Sequence, residues 1–488
     1  MTWNPSDGYW LTRLVFERSL GVAYLIAFLN AVNQFKPLAG ERGLLPAHLY
    51  LKDRSFNQAP GLFVFFPNDR AFTLCAWAGV VLSASVVAGI AAGFGLWLSM
   101  TVWGAIWVLY LSFVNAGQTF YGFGWESILL EAGFYAIFLG NRAMFPPAIP
   151  IWLLRWLEFR VMFGAGLIKL RGDPCWRDLT CLDYHYETQP MPNPLSWFFH
   201  WGPEWTKKGG VLFNHLAELI LPFGYFCPQP VATIAGAITI VFQLTIFASG
   251  NLSWLNFLTM VLAIPALDLS AFAPAHATHP PSIAYQALMI ALAILVAALS
   301  VQPILNMISP RQIMNTVYNR LHLVGTYGAF GSITRPRYEV IVEGTDEVAL
   351  IPSTRWREYE FKGKPGAAGR MPPQIAPYHL RLDWLMWFAA LSSYYQHPWF
   401  LNFLAKLLEN DRAVLGLLRS NPFPDAPPTY VRANLYEYRF TTPGERARTG
   451  QWWTREFEQI YFPPVSLQTA GFRGLLERQG WLQTEHSH

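Results

Sequence analysis

Between Lys208 and Arg311 the chain carries no Asp, Glu, Lys or Arg except Glu218 and Asp268, and between Arg70 and Arg142 it carries only Glu126 and Glu131. Stretches this long and this apolar fold as membrane-spanning helices. A helix of about 20 residues satisfies its own backbone hydrogen bonds and leaves only side chains to face lipid. Composition agrees: charged residues make up 14% of the chain, against roughly 25% in soluble domains, and 21 tryptophans suit the two interfacial belts. Residues 1–309 are charge-balanced, and the net charge of +4 comes from the remainder. So small and scattered an excess gives no footing for nucleic acid.

Windows of about 19 residues predict nine spans, near 11–32, 72–93, 95–115, 126–140, 149–170, 212–227, 230–249, 253–269 and 283–303. The expected fold is therefore a polytopic helical domain over 1–308, with a long polar loop at 171–211, followed by a small α+β extramembrane domain over 309–488. The first apolar stretch follows Asp7 without a small-residue cleavage site, so it reads as a retained helix rather than a signal peptide. Arg13 and Arg18 at its start place the amino end in the cytoplasm, and an odd number of spans then puts the tail on the other side.

In the tail, residues 338–344, 356–361 and 430–440 mix β-branched or aromatic residues with charges in alternation and predict antiparallel strands with one wet face. Leu382, Leu385, Met386, Ala389 and Ala390 recur at helical spacing and predict one or two amphipathic helices through about Glu409. Trp452 and Trp453 could anchor a partner protein, although core packing is the commoner fate of such residues.

Function must reside in what breaks the apolar background. Arg155, Glu158, Arg160 and Lys169 fall within or at the ends of the fifth span, where ionisable groups are costly unless paired or facing water. Arg155 and Glu158, at i and i+3, could form a structural pair, and Lys169 could extend to the interface. The same cluster could instead line a cavity, with Glu126 and Glu131 of the fourth span as partners for these cations. Cys175 and Cys181 are close enough in sequence to staple their loop if it faces an oxidising compartment, and their spacing is not that of a catalytic dithiol. Asp183, His185 and Glu187 alternate, so an extended loop would present them on one face, with His200 and His215 downstream. No compact ligand spacing accompanies them, and no metal is expected. Serine-hydrolase elbows, phosphate-binding loops, zinc-protease and dinucleotide motifs are absent from the sequence.

Several blocks resemble the lipase maturation factor family. They include Gly-Gln-Thr-Phe-Tyr-Gly-Phe-Gly-Trp-Glu-Ser-Ile-Leu-Leu-Glu at 117–131, Phe-Arg-Val-Met-Phe-Gly-Ala-Gly-Leu-Ile-Lys-Leu-Arg-Gly-Asp at 159–173, and Ser-Gly-Asn-Leu-Ser-Trp-Leu-Asn at 249–256. In the tail, Thr-Tyr-Gly-Ala-Phe-Gly-Ser at 326–332, Pro-Tyr-His-Leu-Arg-Leu-Asp-Trp at 377–384 and Tyr-Phe-Pro-Pro-Val-Ser-Leu at 461–467 do so as well. The resemblance implies a membrane protein that helps secreted lipases fold and assemble, with its tail domain, residues 309–488, facing the client and membrane lipids around the rest. It implies the endoplasmic reticulum membrane in a eukaryote, or a cytoplasmic membrane with a periplasmic tail in a bacterium. It implies a folding factor rather than an enzyme and requires no cofactor, while a bound lipid or hydrophobic cofactor stays open. Gly363 stands ahead of Lys364-Pro365-Gly366 where family members carry a cysteine, which argues against carrying over a redox role.

Gly166-Leu-Ile-Lys169-Leu170 is also similar to the lysine-bearing helix end of the vitamin K-dependent carboxylase superfamily. That similarity implies the alternative function, a membrane enzyme acting on a lipid-like or peptide substrate in a cavity beside Lys169, Glu126, Glu131 and Arg160. A lysine desolvated by burial is the proton acceptor such an architecture would use, so Lys169 is the candidate base.

Overall fold

The computed structural model describes residues 9–93, 95–272 and 279–481; residues 1–8, Asp7 included, lie outside them. Among the described residues five helices are long and apolar enough to cross a membrane by length and composition. They are α1 (Trp10–Ala39), α2 (Asp69–Val87), α3 (Leu96–Ala116), α8 (Val231–Ser249) and α10 (Ile283–Ile308). The nine expected spans reduce to five on that criterion. The other four segments are helical but short or charged: α4 (Gly124–Ala136) has 13 residues, and α5 (Ala148–Arg171) holds the ionisable cluster. The segment expected at 212–227 is broken into α7 (Glu204–His215), a π-helical turn (Leu216–Ile220) and a last turn (Leu221–Gly224), and α9 (Leu255–Ala263) is a 9-residue helix.

Hydrogen bonds at the helix ends define two poles. Trp10 Nε1, at the start of α1, donates to the Arg142 carbonyl at 3.1 Å, whereas Gln34, near its end, donates to the His379 carbonyl of the tail at 2.7 Å. Asn115 at the end of α3 donates to the Arg320 carbonyl, and Asn251, just past α8, donates to that of Pro373. Both α3 and α8 thus finish beside the tail. The chain between them, through α4, α5 and the broken helix, returns to the far pole, where Arg155 of α5 donates to Tyr225 and Pro265 carbonyls. α4 is buried along nearly its whole length and α1 over more than half of its own, whereas the broken helix exposes Leu212, Leu216, Ile220 and Phe223. Arg13, expected to mark the cytoplasmic end, is buried and donates to the Leu139 and Met144 carbonyls.

The tail contains a four-stranded antiparallel sheet in the order β2–β1–β3–β4, with β1 (Arg337–Thr345), β2 (Arg357–Glu358), β3 (Tyr430–Phe440) and β4 (Trp453–Val465). The expected strand at 356–361 is two 2-residue pieces, one pairing with β1 and the other with Leu418–Ser420. Helices α11 (Arg381–Ala390) and α12 (Pro398–Leu408) fall where the apolar spacing puts them. Strand β4 was not expected, because Pro463 and Pro464 end a strand in sequence terms. It tolerates them as an edge strand, with its register against β3 shifting between Val431 and Ala433. Trp453 stacks on Phe440 at 4.2 Å in the tail core and Trp452 lies under Arg446 at 3.6 Å, so neither is a free anchor.

Candidate functional site

Arg155, Glu158, Arg160 and Lys169 of α5 are buried, and each finds a different environment. Arg155 does not pair with Glu158. Its guanidinium takes the Pro265 and Tyr225 carbonyls and the Tyr9 hydroxyl, while neither Glu158 oxygen has a hydrogen-bond partner among the described residues. Arg160 pairs with Glu131 as expected, and that carboxylate also accepts from Tyr135 at 2.6 Å and Tyr327 at 2.7 Å. Glu126 is no partner of the α5 cations. It accepts from the Tyr110 hydroxyl and from Arg381 of the tail, Nη1 to Oε1 at 2.8 Å.

Lys169 does not extend to the interface. Its Nζ donates to Asn214 Oδ1 at 2.7 Å and to Glu218 Oε1 at 2.6 Å, and Asn214 Nδ2 closes the triangle on Glu218 Oε2 at 3.1 Å. The π-helical turn carries Glu218, and such single-turn insertions recur at functional sites. Glu126, Glu131, Arg160 and Lys169 therefore do not converge: three serve two buried ion-pair networks between bundle and tail, and Lys169 stands apart with Glu218.

Lys169 and Glu218 line a cavity of about 810 Å³ between α5, α7, α8 and α9, roofed by Trp384, Trp387 and Phe330 of the tail. Its walls are mostly apolar. His185 also faces it, packed edge-on against Phe330 at 5.0 Å. Burial, and then the Lys169 charge, push the His185 imidazole down to about 4, so it is neutral at neutral pH.

The polar loop is helical where His185 lies, on α6 (Leu182–Thr188), so residues two apart diverge and the expected shared face does not form. Asp183 pairs with Lys207 at 2.6 Å, and Glu187 accepts from the Phe440 amide of β3 at 2.6 Å with His200 Nε2 3.9 Å away. His215 bonds to the Trp176 carbonyl. Among the described residues no group of three His, Cys, Asp or Glu side chains could hold a metal ion. Cys175 and Cys181 form a disulfide in a small core with Trp176, Val211 and Ile333, fixing the turn that leads into α6. Asp173, just ahead, is held below the usual carboxylate range by hydrogen bonds from Arg335.

Asn214 and Arg381 were missed because their partners are 45 and 255 residues away. Glu218 carried a signal: it is the one ionisable Asp, Glu, Lys or Arg between Lys208 and Asp268, and an isolated ionisable residue in an apolar stretch points to a built site.

Residues 11–274 match the family model described as the lipase maturation factor transmembrane domain, and residues 323–463 that of the lipase maturation factor C-terminal domain. The chain is 42% identical to Lipase maturation factor 1 of Bos taurus, over 97% of this chain and 92% of that protein. It is equally similar to Lipase maturation factor 1 of Homo sapiens, over 97% and 90%. Lipase maturation factor 2 of Homo sapiens is 29% identical over 96% of this chain and 85% of its own length. No solved structure matches.

Proposed function

The chain belongs to the lipase maturation factor family, and from that premise we propose that it is an integral membrane maturation factor whose tail assists the folding and assembly of a secreted lipase. The tail and the disulfide-bearing loop then face the non-cytosolic compartment: the endoplasmic reticulum lumen in a eukaryote, the periplasm in a bacterium. The start of α1 at the pole opposite the tail and a disulfide near the tail pole support that orientation.

The observation that carries the reading is β4. It is a 13-residue strand paired on one side only, and it exposes Phe457 (57%) and Ile460 (60%). A free edge is a template for an added strand, and proteins normally guard one with charge. Glu456 and Glu458 flank Phe457 and do so here against self-pairing. An extended segment of a partly folded client can add to this edge through main-chain hydrogen bonds, with Phe457 and Ile460 as its apolar contacts. A photocrosslinking residue at 457 or 460 should capture the co-expressed lipase before it becomes active; capture of chaperones but never lipase would reject the proposal.

A second reading keeps one observation in its favour, the position of Lys169 on the wall of a roofed cavity. A membrane enzyme built there would act through Lys169 with Glu218, not with Glu126, Glu131 and Arg160. Lys169→Arg keeps the charge opposite Glu218. If it abolished lipase maturation while client capture at β4 persisted, chemistry at Lys169 would be favoured over docking.

A further inference from the structure

Three cations line the roofed cavity, Lys169, Arg171 and Lys207, and each is already engaged. Lys169 is ion-paired with Glu218, Lys207 is paired with Asp183 at 2.6 Å, and Arg171 donates to the Met307 carbonyl and Gln312 Oε1, both at 2.8 Å. Arg171 bonds only neutral oxygens, but at the Lys169 end an anionic head group would meet the Glu218 carboxylate. What remains on offer at that end is neutral hydrogen bonding. An ammonium has three N–H groups, and Lys169 uses two of them on Asn214 and Glu218. His185 lines the same cavity, and a neutral imidazole supplies one donor and one acceptor.

Away from Lys169 the wall is largely apolar, with Val161, Met162, Phe242 and Ile246 of α5 and α8; among them Gln243, whose Nε2 meets Met162 Sδ at 3.3 Å, is bonded by Asn256. The volume of about 810 Å³ falls within the roughly 300–1,000 Å³ typical of sites that enclose one small ligand. A wall that is mostly apolar, with hydrogen-bonding groups gathered at the Lys169 end, suits an amphipathic molecule held head toward the tail.

We propose that this cavity binds a neutral acylglycerol, its ester carbonyl accepting from Lys169, its glycerol hydroxyls bonding to His185, and its acyl chain lying along Met162 and Ile246. The proposal is independent of client docking at β4. It also gives the tail a reason to close over the bundle, since Trp384 and Trp387 would cover the bound head.

The test uses the full-length chain in phosphatidylcholine nanodiscs with a diazirine-bearing monoacylglycerol. Crosslinks should map to α5, α7 or α8, and monoolein should compete them away while oleic acid does not. Ile246→Trp, which fills the chain channel, should abolish labelling. His185→Phe, which keeps the packing on Phe330, should weaken competition by monoolein roughly three- to tenfold, as expected for one lost hydrogen bond. Labelling that survives Ile246→Trp, competition by oleic acid as strong as that by monoolein, or an unchanged His185→Phe would each overturn the assignment.

Discussion

Arg381, at the first turn of α11 in the tail, reaches into the helix bundle, where its Nη1 donates to Glu126 Oε1 at 2.8 Å; neither side chain is exposed. The same guanidinium donates to Asn30 of α1 and to the Phe120 carbonyl, and it lies 3.5 Å from the centre of the Tyr121 ring. A buried charge of the bundle is thus neutralised only by the tail. Removing one member of such a pair leaves the other uncompensated, at a cost of about 3–5 kcal/mol. Arg381→Ala and Glu126→Ala should each unfold the protein at markedly lower temperature in detergent. The double replacement Glu126→Gln with Arg381→Met should recover much of that loss, read from melting curves of the purified chain.

The two-part chain expected from the sequence suggests that the tail can be removed cleanly. The ion pairs argue otherwise, because deleting residues 310–488 strands Glu126 and takes Tyr327 and the Gly325 carbonyl from the Glu131–Arg160 pair. Residues 1–309 alone should aggregate or be degraded, visible as loss of a monodisperse peak in size-exclusion chromatography. A well-behaved truncated bundle would show that the tail is not part of the membrane core's stability.

The long apolar helices and two of the tail strands were legible because hydrophobic period and charge scarcity are local signals. The pairing of the buried charges was not. Proximity along α5 suggested Arg155 with Glu158, yet a long guanidinium reaches carbonyls on neighbouring segments more favourably, and Glu126 is satisfied from 255 residues away. Strand β4 was hidden by its two prolines, which only an edge position permits. The cavity could not be anticipated, since its polar wall assembles Lys169, His185 and Glu218 from three separate segments.

The Cys175–Cys181 bridge closes a very short loop, for which chain entropy alone gives about 2 kcal/mol of stabilisation. Replacing both cysteines by serine should lower stability by that order and loosen the turn that leads to His185. Alkylation under denaturing, non-reducing conditions should label two of the four cysteines, and all four after reduction. Four labelled cysteines without reduction would show that the bridge does not form in cells.

Acid should destabilise the chain through its buried imidazoles. Burial, and secondarily a nearby cation, push His185, His200 and His322 each down to about 4 in the folded state. The unfolded chain takes up those protons near pH 6.5, so it binds more protons than the folded chain between about pH 6.5 and 4. Stability should therefore be full above that window and fall as pH drops through it. His185→Phe should flatten the decline relative to the parent chain in melts run across the window, and equal slopes would remove His185 from the explanation.

The central claim, that the free edge of β4 docks a lipase, is tested most directly by Phe457→Asp combined with Ile460→Asp in cells that secrete the lipase. Both side chains face solvent, so the doubly substituted chain should insert and accumulate normally. Secreted lipase activity per molecule of the maturation factor should fall at least tenfold, with inactive lipase retained in the cell. Unchanged lipase activity at equal protein levels would contradict the account.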